Sequence, residues 1–310
     1  MKKVIFPLAL LSAISFSQIA YAQSNVTVYG MVDLGVGRAI NSSHYGVLQG
    51  AASRIGFRGQ EDLGSGWKSS FHLQHRFNAD TGMASNPAKF WHADSWVGLE
   101  GPYGQVRLGR MFTPSYEYVM LPSDVFQHSR VSSNITTQTG KMSPYRFDNG
   151  INYNLKVAGF RFGATFSPNE GVPNTKNAYS TALSYSVGDL YLAIGHENPN
   201  GLNDVWNSVS ARWGNDSLKI FTFLGAGKDK ENHRIRSYSI GASGKFANGM
   251  LMASYARMNN KDLNFKVQDK FSIGYQYALS KRSKLYTNVA HDRAFKSNKN
   301  GFDAGIVHSF

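Results

Sequence analysis

Sixteen segments of this chain alternate bulky with small or polar residues at period two, and the connections between them are sorted by parity. The segments span residues 26–36, 50–60, 66–77, 90–100, 104–110, 145–155, 158–167, 178–187, 190–197, 206–213, 217–227, 235–246, 249–258, 268–279, 283–292 and 301–310. Period two is the side-chain spacing on one face of a β-strand, and about 9–11 residues is the length of a tilted strand crossing a bilayer. After even-numbered segments the chain turns at once, through "EDLGSG", "GPYG", "KV", "GD", "GND", "AN" and "SKR". After odd-numbered segments long polar connections are expected, as in "GRAINSSHYGVLQ", "SPNEGVPNTK" and "RAFKSNKN". A soluble β-sandwich has no reason to sort its loops this way. An outer-membrane barrel does, because its periplasmic turns are short and its external loops long. The expected fold is therefore all-β: a 16-stranded antiparallel transmembrane β-barrel, both termini on the periplasmic side.

The last ten residues, "GFDAGIVHSF", support closure. Chain ends usually fray, yet Phe302, Ala304, Ile306, His308 and Phe310 share one parity to the final residue. Such a strand must be paired, and the first segment, "NVTVYGMVDLGV", is its expected partner, leaving no open edge in lipid. Phe310 then sits at the periplasmic rim, where aromatic residues form a girdle.

The N-terminus points to export. "MKK" is a basic n-region, "VIFPLALLSAISF" an apolar core, and Ala20-Tyr21-Ala22 a small-x-small cleavage pattern. A signal peptide is expected over residues 1–22, and a single barrel domain over 23–310. No later run approaches the roughly 18 apolar residues of a membrane helix. A mean hydropathy of −0.34 is compatible with a barrel, since only alternate residues face lipid. The absence of cysteine tolerates an oxidising compartment without supplying a disulfide framework. The formal charge of +13 becomes +11 when Lys2 and Lys3 are removed. For an exported chain, that excess points to small anions or an anionic membrane surface rather than nucleic acid.

One connection breaks scale. Met111 to Pro144, about 34 residues, is far longer than the loops that usually join elements. A wide barrel would otherwise leave an open channel, so this third external loop is expected to fold inward. Phe112, Tyr116, Tyr118, Val119, Met120, Leu121 and Phe126 supply apolar surface to hold it against the wall. Alternation turns further side chains into the lumen. Ile55 and Phe57 facing lipid send Arg54 and Arg58 inward, and Phe71 and Leu73 send Lys68, His72, Gln74 and Arg76 inward. Arg107 alternates with Val106 and Leu108, and Arg146 is placed inward by Ile151 and Tyr153. Arg110 shares the parity of Leu108, so it reaches the lumen only if the strand ends or bulges before it. Arg38 and Arg130 fall in loops, where parity is silent.

"SRIGFRGQEDLGSGWK", "WVGLEGPYGQVRLGR" and "YRFDNGINYN" resemble, in order, the signature segments of the trimeric general-diffusion porins of Gram-negative outer membranes. The opening strand and the terminal Phe310 are similar to the betaproteobacterial branch, and the likeness spans essentially the whole mature chain. The resemblance implies an outer-membrane homotrimer amid lipid and lipopolysaccharide, passing ions and small hydrophilic solutes, with Phe310 read by the barrel-insertion machinery. It also implies a constriction where wall arginines, here Arg54, Arg110 and Arg146, face acids of the third loop, with Arg76, Arg38 and Arg130 as further candidates. Asp124 in "PSDVF" matches the acidic position and Glu117 is the other acid available. Neither metal-ligand spacing nor a phosphate-cradling loop stands out, and no cofactor is expected. The alternatives are a channel selective for small organic anions, a structural barrel or adhesin, and a barrel hydrolase. For the last, Ser70 with His72, or His291 with Asp292, would have to converge with a third group.

Overall fold

In the computed structural model, which describes residues 25–129 and 131–310, the chain closes into one antiparallel barrel. The first strands are β1 (Asn25–Arg38), β2 (Gly46–Gln49), β3 (Arg54–Gly64), β4 (Trp67–Arg76), β5 (Ser95–Gly101) and β6 (Gly104–Phe112). They are followed by β7 (Arg146–Val157), β8 (Phe160–Ser167), β9 (Ala178–Val187), β10 (Leu190–Asn198), β11 (Val205–Gly214) and β12 (Leu218–Lys228). The ring is completed by β13 (Arg234–Phe246), β14 (Gly249–Asn260), β15 (Phe265–Ala278), β16 (Ser283–Asp292) and β17 (Asn300–Ser309). Sixteen of these are staves. The short β2 lies inside the first external connection and pairs with the outer part of β1. The expected signal segment lies outside the described residues, as does Arg130.

Closure occurs on β1, which pairs with β3 over Asn25–Met31 and with β17 over Met31–Arg38. Beyond the last ladder pair, the Gly30 amide donates to the Phe310 carbonyl at 3.0 Å, and the Phe310 amide donates back at 3.1 Å. Phe310 is thus held to Gly30 through both its amide and its carbonyl.

The alternation works as two periodic surfaces. Outward positions carry Val26, Val28, Val97, Leu99, Val106, Leu108, Phe160, Phe162, Leu192, Ile194, Ile220 and Ile240, which stand uncovered in a single chain and face hydrocarbon in a membrane. The short turns follow β3, β5, β7, β9, β11, β13 and β15. Not every external connection is long, however. Residues 261–264 are as brief as the turn at 279–282 and residues 229–233 only one longer, because β13, β14 and β15 run for 13, 12 and 14 residues. The hairpins there rise past the membrane as strand rather than loop. The fourth stave, β5, also starts later than its sequence pattern implies, at Ser95. Phe90 and Trp91 belong to the second external loop (77–94), where Phe90 stacks on His75 at 4.1 Å and Trp91 lies edge-on to Phe57 at 6.2 Å. They cover outward side chains instead of extending the ladder.

The third loop, residues 113–145, is folded into the barrel. It contains a π-helical turn at Tyr116–Met120, a 3-10 turn at Leu121–Ser123 and a short helix α1 (Ile135–Thr139). Tyr116, Tyr118, Val119 and Met120 pack with Ala182, Ala193, Trp206, Phe223, Ile235 and Met258 of the wall. Val125 and Phe126 form a second cluster with Phe221 and Met252. This is the main hydrophobic core, and it lies inside the barrel. Gly140 ends α1 at φ +62°, where an added Cβ would also meet the Trp206 ring at 2.8 Å.

Candidate functional site: the constriction and lumen wall

Polar anchors fix the loop along one side of the lumen. Ser115 donates its amide to the Ser180 hydroxyl, Tyr191 donates its hydroxyl to the Tyr118 carbonyl at 2.6 Å, and the Trp206 indole donates to the Gln138 carbonyl at 2.8 Å. On β15 the buried Lys270 ammonium donates to the carbonyls of Val131 and Ser133. On β17 Asp303 accepts the Val131 amide at 3.3 Å. The loop therefore lines the wall from β8 to β17 and leaves β1 and β3–β6 facing the remaining passage.

That bare wall carries the basic side chains. Arg54 and Arg76 are register partners on β3 and β4. Like charges directly opposite on a sheet repel, so the pair is kept against its own electrostatics. Arg76 donates its Nε to the Gln74 amide oxygen at 3.1 Å, and Gln74 donates to the Tyr29 hydroxyl at 2.7 Å. Arg146 joins them from β7. It pairs with Asp94 at 3.0 Å, both side chains buried, and lies 3.6 Å over the Phe112 ring. The parity argument for Arg146 does not carry through, because the β6–β7 register shifts between Gly109 and Met111. Its place rests on those contacts. His92, from the second loop, reports the potential: burial and then Arg76, Arg110 and Arg146 push its imidazole down to about 4.

The acids expected opposite these arginines are elsewhere. Asp124 is 1 % exposed, and its carboxylate accepts the amides of Phe126, His128 and Asn134 at 3.1, 2.9 and 3.1 Å. It ties the loop to itself and does not face the arginines. Glu117 pairs with Arg161 of β8 at 2.7 Å, away from Arg54 and Arg76. What the loop sets near Arg76 and Arg146 is Tyr116, whose phenol is bonded to the His128 ring at 2.7 Å and raised above its ordinary range by burial.

The remaining candidates divide. Arg110 follows the register shift and donates to Asp148 at 2.7 Å and to the His92 carbonyl at 2.6 Å, so it is neutralised beside the second loop. Arg38 ends β1 at the external mouth, bonded to the Asn300 carbonyl at 3.1 Å, outside the constriction. Arg58 and Arg107 lie lower on the wall over the rings of Tyr29 and Trp96. Lys68 is the register partner of Glu100 near the periplasmic turn, and His72 is bonded to the Tyr29 hydroxyl. Sequence reasoning passed over Asp94, Arg161, Arg212 and Lys270. Outward Phe160 and Phe162, or Phe271 and Ile273, mark Arg161 and Lys270 as inward by the same alternation; Asp94 sits in a loop and carries no such signal. Of the residues weighed for hydrolysis, Ser70 accepts from Gln105 and His291 is bonded to Asn300.

A closed barrel with an inward third loop and an arginine wall is now in place, and a profile described as Gram-negative porin matches residues 8–297. The chain belongs to the Gram-negative porin family. This porin is 30% identical to outer membrane porin protein 32 of Delftia acidovorans, over 99% of this chain and 92% of that one. It is 24% identical to an outer membrane porin of Bordetella pertussis over the full length of both. Among solved structures, an anion-selective porin from Comamonas acidovorans superposes with TM-score 0.80 at 25% identity, covering 93% of this chain and 100% of that chain. A trimeric OmpT of Vibrio cholerae shares the fold at TM-score 0.73 and 13% identity, with 93% and 99% covered. The porin is an outer-membrane protein whose barrel serves passive diffusion.

Proposed function

We propose that this porin prefers anions, and that the preference resides in Arg54 and Arg76, with Arg146 beside them neutralised by Asp94. The observation that carries this is the register pair Arg54–Arg76, with Asp94 already paired to Arg146 and a phenol, not a carboxylate, on the loop nearby. An anion passing about 4 Å from one such charge gains roughly 1 kcal/mol even at the dielectric of water, above the thermal energy of about 0.6. Two unneutralised guanidiniums bias anions over cations several-fold without holding them. The Comamonas acidovorans porin, described as anion-selective, supports the same sign. A homotrimer is the assembly this reading takes, in keeping with the trimeric Vibrio cholerae relative. The protein acts as a channel and not as an enzyme. The test is the reversal potential of single channels in a potassium chloride gradient. A cation-side or null potential in the wild type overturns the proposal.

A further inference from the structure

Below the constriction, four arginines share one arrangement. The guanidinium of Arg58 lies 5.2 Å over the Tyr29 ring, Arg107 4.6 Å over Trp96, Arg161 4.0 Å over Tyr118, and Arg212 5.1 Å over Tyr191. Arg107, Arg161 and Arg212 lie near the short-turn ends of β6, β8 and β11, hence in the periplasmic half. Their rings adjoin in two pairs: those of Tyr29 and Trp96 flank the His72 ring at 5.6 and 5.8 Å, and Tyr191 donates its hydroxyl to the Tyr118 carbonyl at 2.6 Å. Among the described residues, only Arg161 of the four has a carboxylate partner, Glu117.

The choice of ring over acid has a physical consequence. A salt bridge orders an arginine but cancels its charge. An aromatic face orders it through the ring quadrupole, worth about 0.5–1 kcal/mol where exposed, and leaves the charge intact. Burial raises the Tyr118 phenol to about 12, so the ring under Arg161 stays neutral. Arg58, Arg107 and Arg212, which have no carboxylate partner among the described residues, keep a fork of guanidinium donors for the two oxygens of one carboxylate. Chloride, a sphere, is indifferent to the orientation of that fork. A carboxylate is not.

We propose that Arg58, Arg107 and Arg212, each seated over a ring and without a carboxylate partner among the described residues, are a second anion station in the periplasmic half of the pore that selects planar organic carboxylates over halide. The proposal rests on the anion-preferring reading above and adds its solute class.

Bi-ionic reversal potentials with benzoate on one side and chloride on the other give the permeability ratio. Trp96→Leu keeps every charge but frees Arg107, and is expected to lower the benzoate:chloride ratio about threefold, the loss of one exposed cation–ring contact. Trp96→Phe, which retains a ring, restores most of it. The Tyr29→Leu and Tyr29→Phe pair repeats the comparison for Arg58. Arg212→Lys, which keeps the charge and loses the fork, is expected to behave like the Leu variants and decides the question if those do not assemble. A ratio equal to wild type in assembled Leu and Lys variants overturns the station, as does a parallel fall of benzoate and chloride. The potassium chloride gradient, read in the same recordings, tests the anion preference separately: that reading fails only if the wild type itself lacks the preference.

Discussion

The two sides of this lumen are built from the same alternating strands and use their inward positions in opposite ways. On β3 and β4 the inward residues are Arg54, Arg58, His72, Gln74 and Arg76, facing the passage. On β12 and β14 they include Phe221, Phe223, Met252 and Met258, sealed under the third loop. The outward faces are alike, since both meet hydrocarbon. An inward position in a barrel is therefore not polar by rule; its chemistry follows whatever covers it. Where a second layer of chain lies on the wall, burial of apolar surface at roughly 25 cal/mol per Å² holds that layer in place. Where nothing lies on it, charge can remain hydrated and act on solutes.

Removing the covering layer tests the contrast most strongly. Deleting the middle of the third loop, residues 116–139, should raise single-channel conductance severalfold, and an assembled barrel of unchanged conductance would show that the loop does not set the passage. Next, Phe223→Ala on the lined wall should cost about 3–5 kcal/mol. It should appear as a lower melting temperature and noisier open current. A silent substitution would mean the loop is held by its polar anchors alone. On the bare wall, Arg54→Gln with Arg76→Gln should leave stability untouched or improved, since the pair repels, and move the reversal potential toward the cation side. The control pair Lys296→Gln and Lys299→Gln, at the external mouth, should barely move it, because salt screens such charges beyond roughly 8–10 Å. Equal shifts from both pairs would assign the selectivity to diffuse charge.

The smallest expected effect comes from pH. Burial depresses the His128 imidazole within the loop, against the opposing pull of Asp124. The docked loop thus refuses a proton that the undocked loop accepts below about 6.5. Docking should be at full strength above that value and weaken as pH falls below it. Current noise that rises between neutral pH and pH about 5 in the wild type, but not in His128→Gln, is the expected record. Noise independent of pH in both would remove His128 from the account.

Most of the wall was legible because period two is a property of the backbone itself. β9 and β16 span Ala178–Val187 and Ser283–Asp292, the ranges that alternation gives. Reading failed where something other than the ladder decides. "KFWHAD" has a strand-like aromatic pattern, yet its rings lie over Phe57 and His75. Asp124 was read as a pore acid because "PSDVF" matches the acidic position that the family resemblance implies, while three backbone amides claim it. Alternation places a carboxylate on a face and cannot say which donors will reach it first. One signal was present and unused. "IFTFLG" and "MLMAS" are apolar on both parities, the pattern of a strand covered on both faces, and they mark where the third loop would lie.

The seam between β1 and β17 also constrains how the molecule comes into being. It joins the first stave to the last, and its outermost bonds run between Gly30 and Phe310, 280 positions apart. Contacts of such sequence separation close late and slowly, after the entropy of ordering all that lies between has been spent. Until they close, the barrel has two open edges whose amides and carbonyls have no partners in hydrocarbon. A chain cut short by one stave has no stable halfway form to occupy. Pairing of the first stave with the last is thereby a condition of residence in the membrane. Deleting Phe310 should lower the yield of heat-modifiable barrel while leaving the conductance of those that do close unchanged.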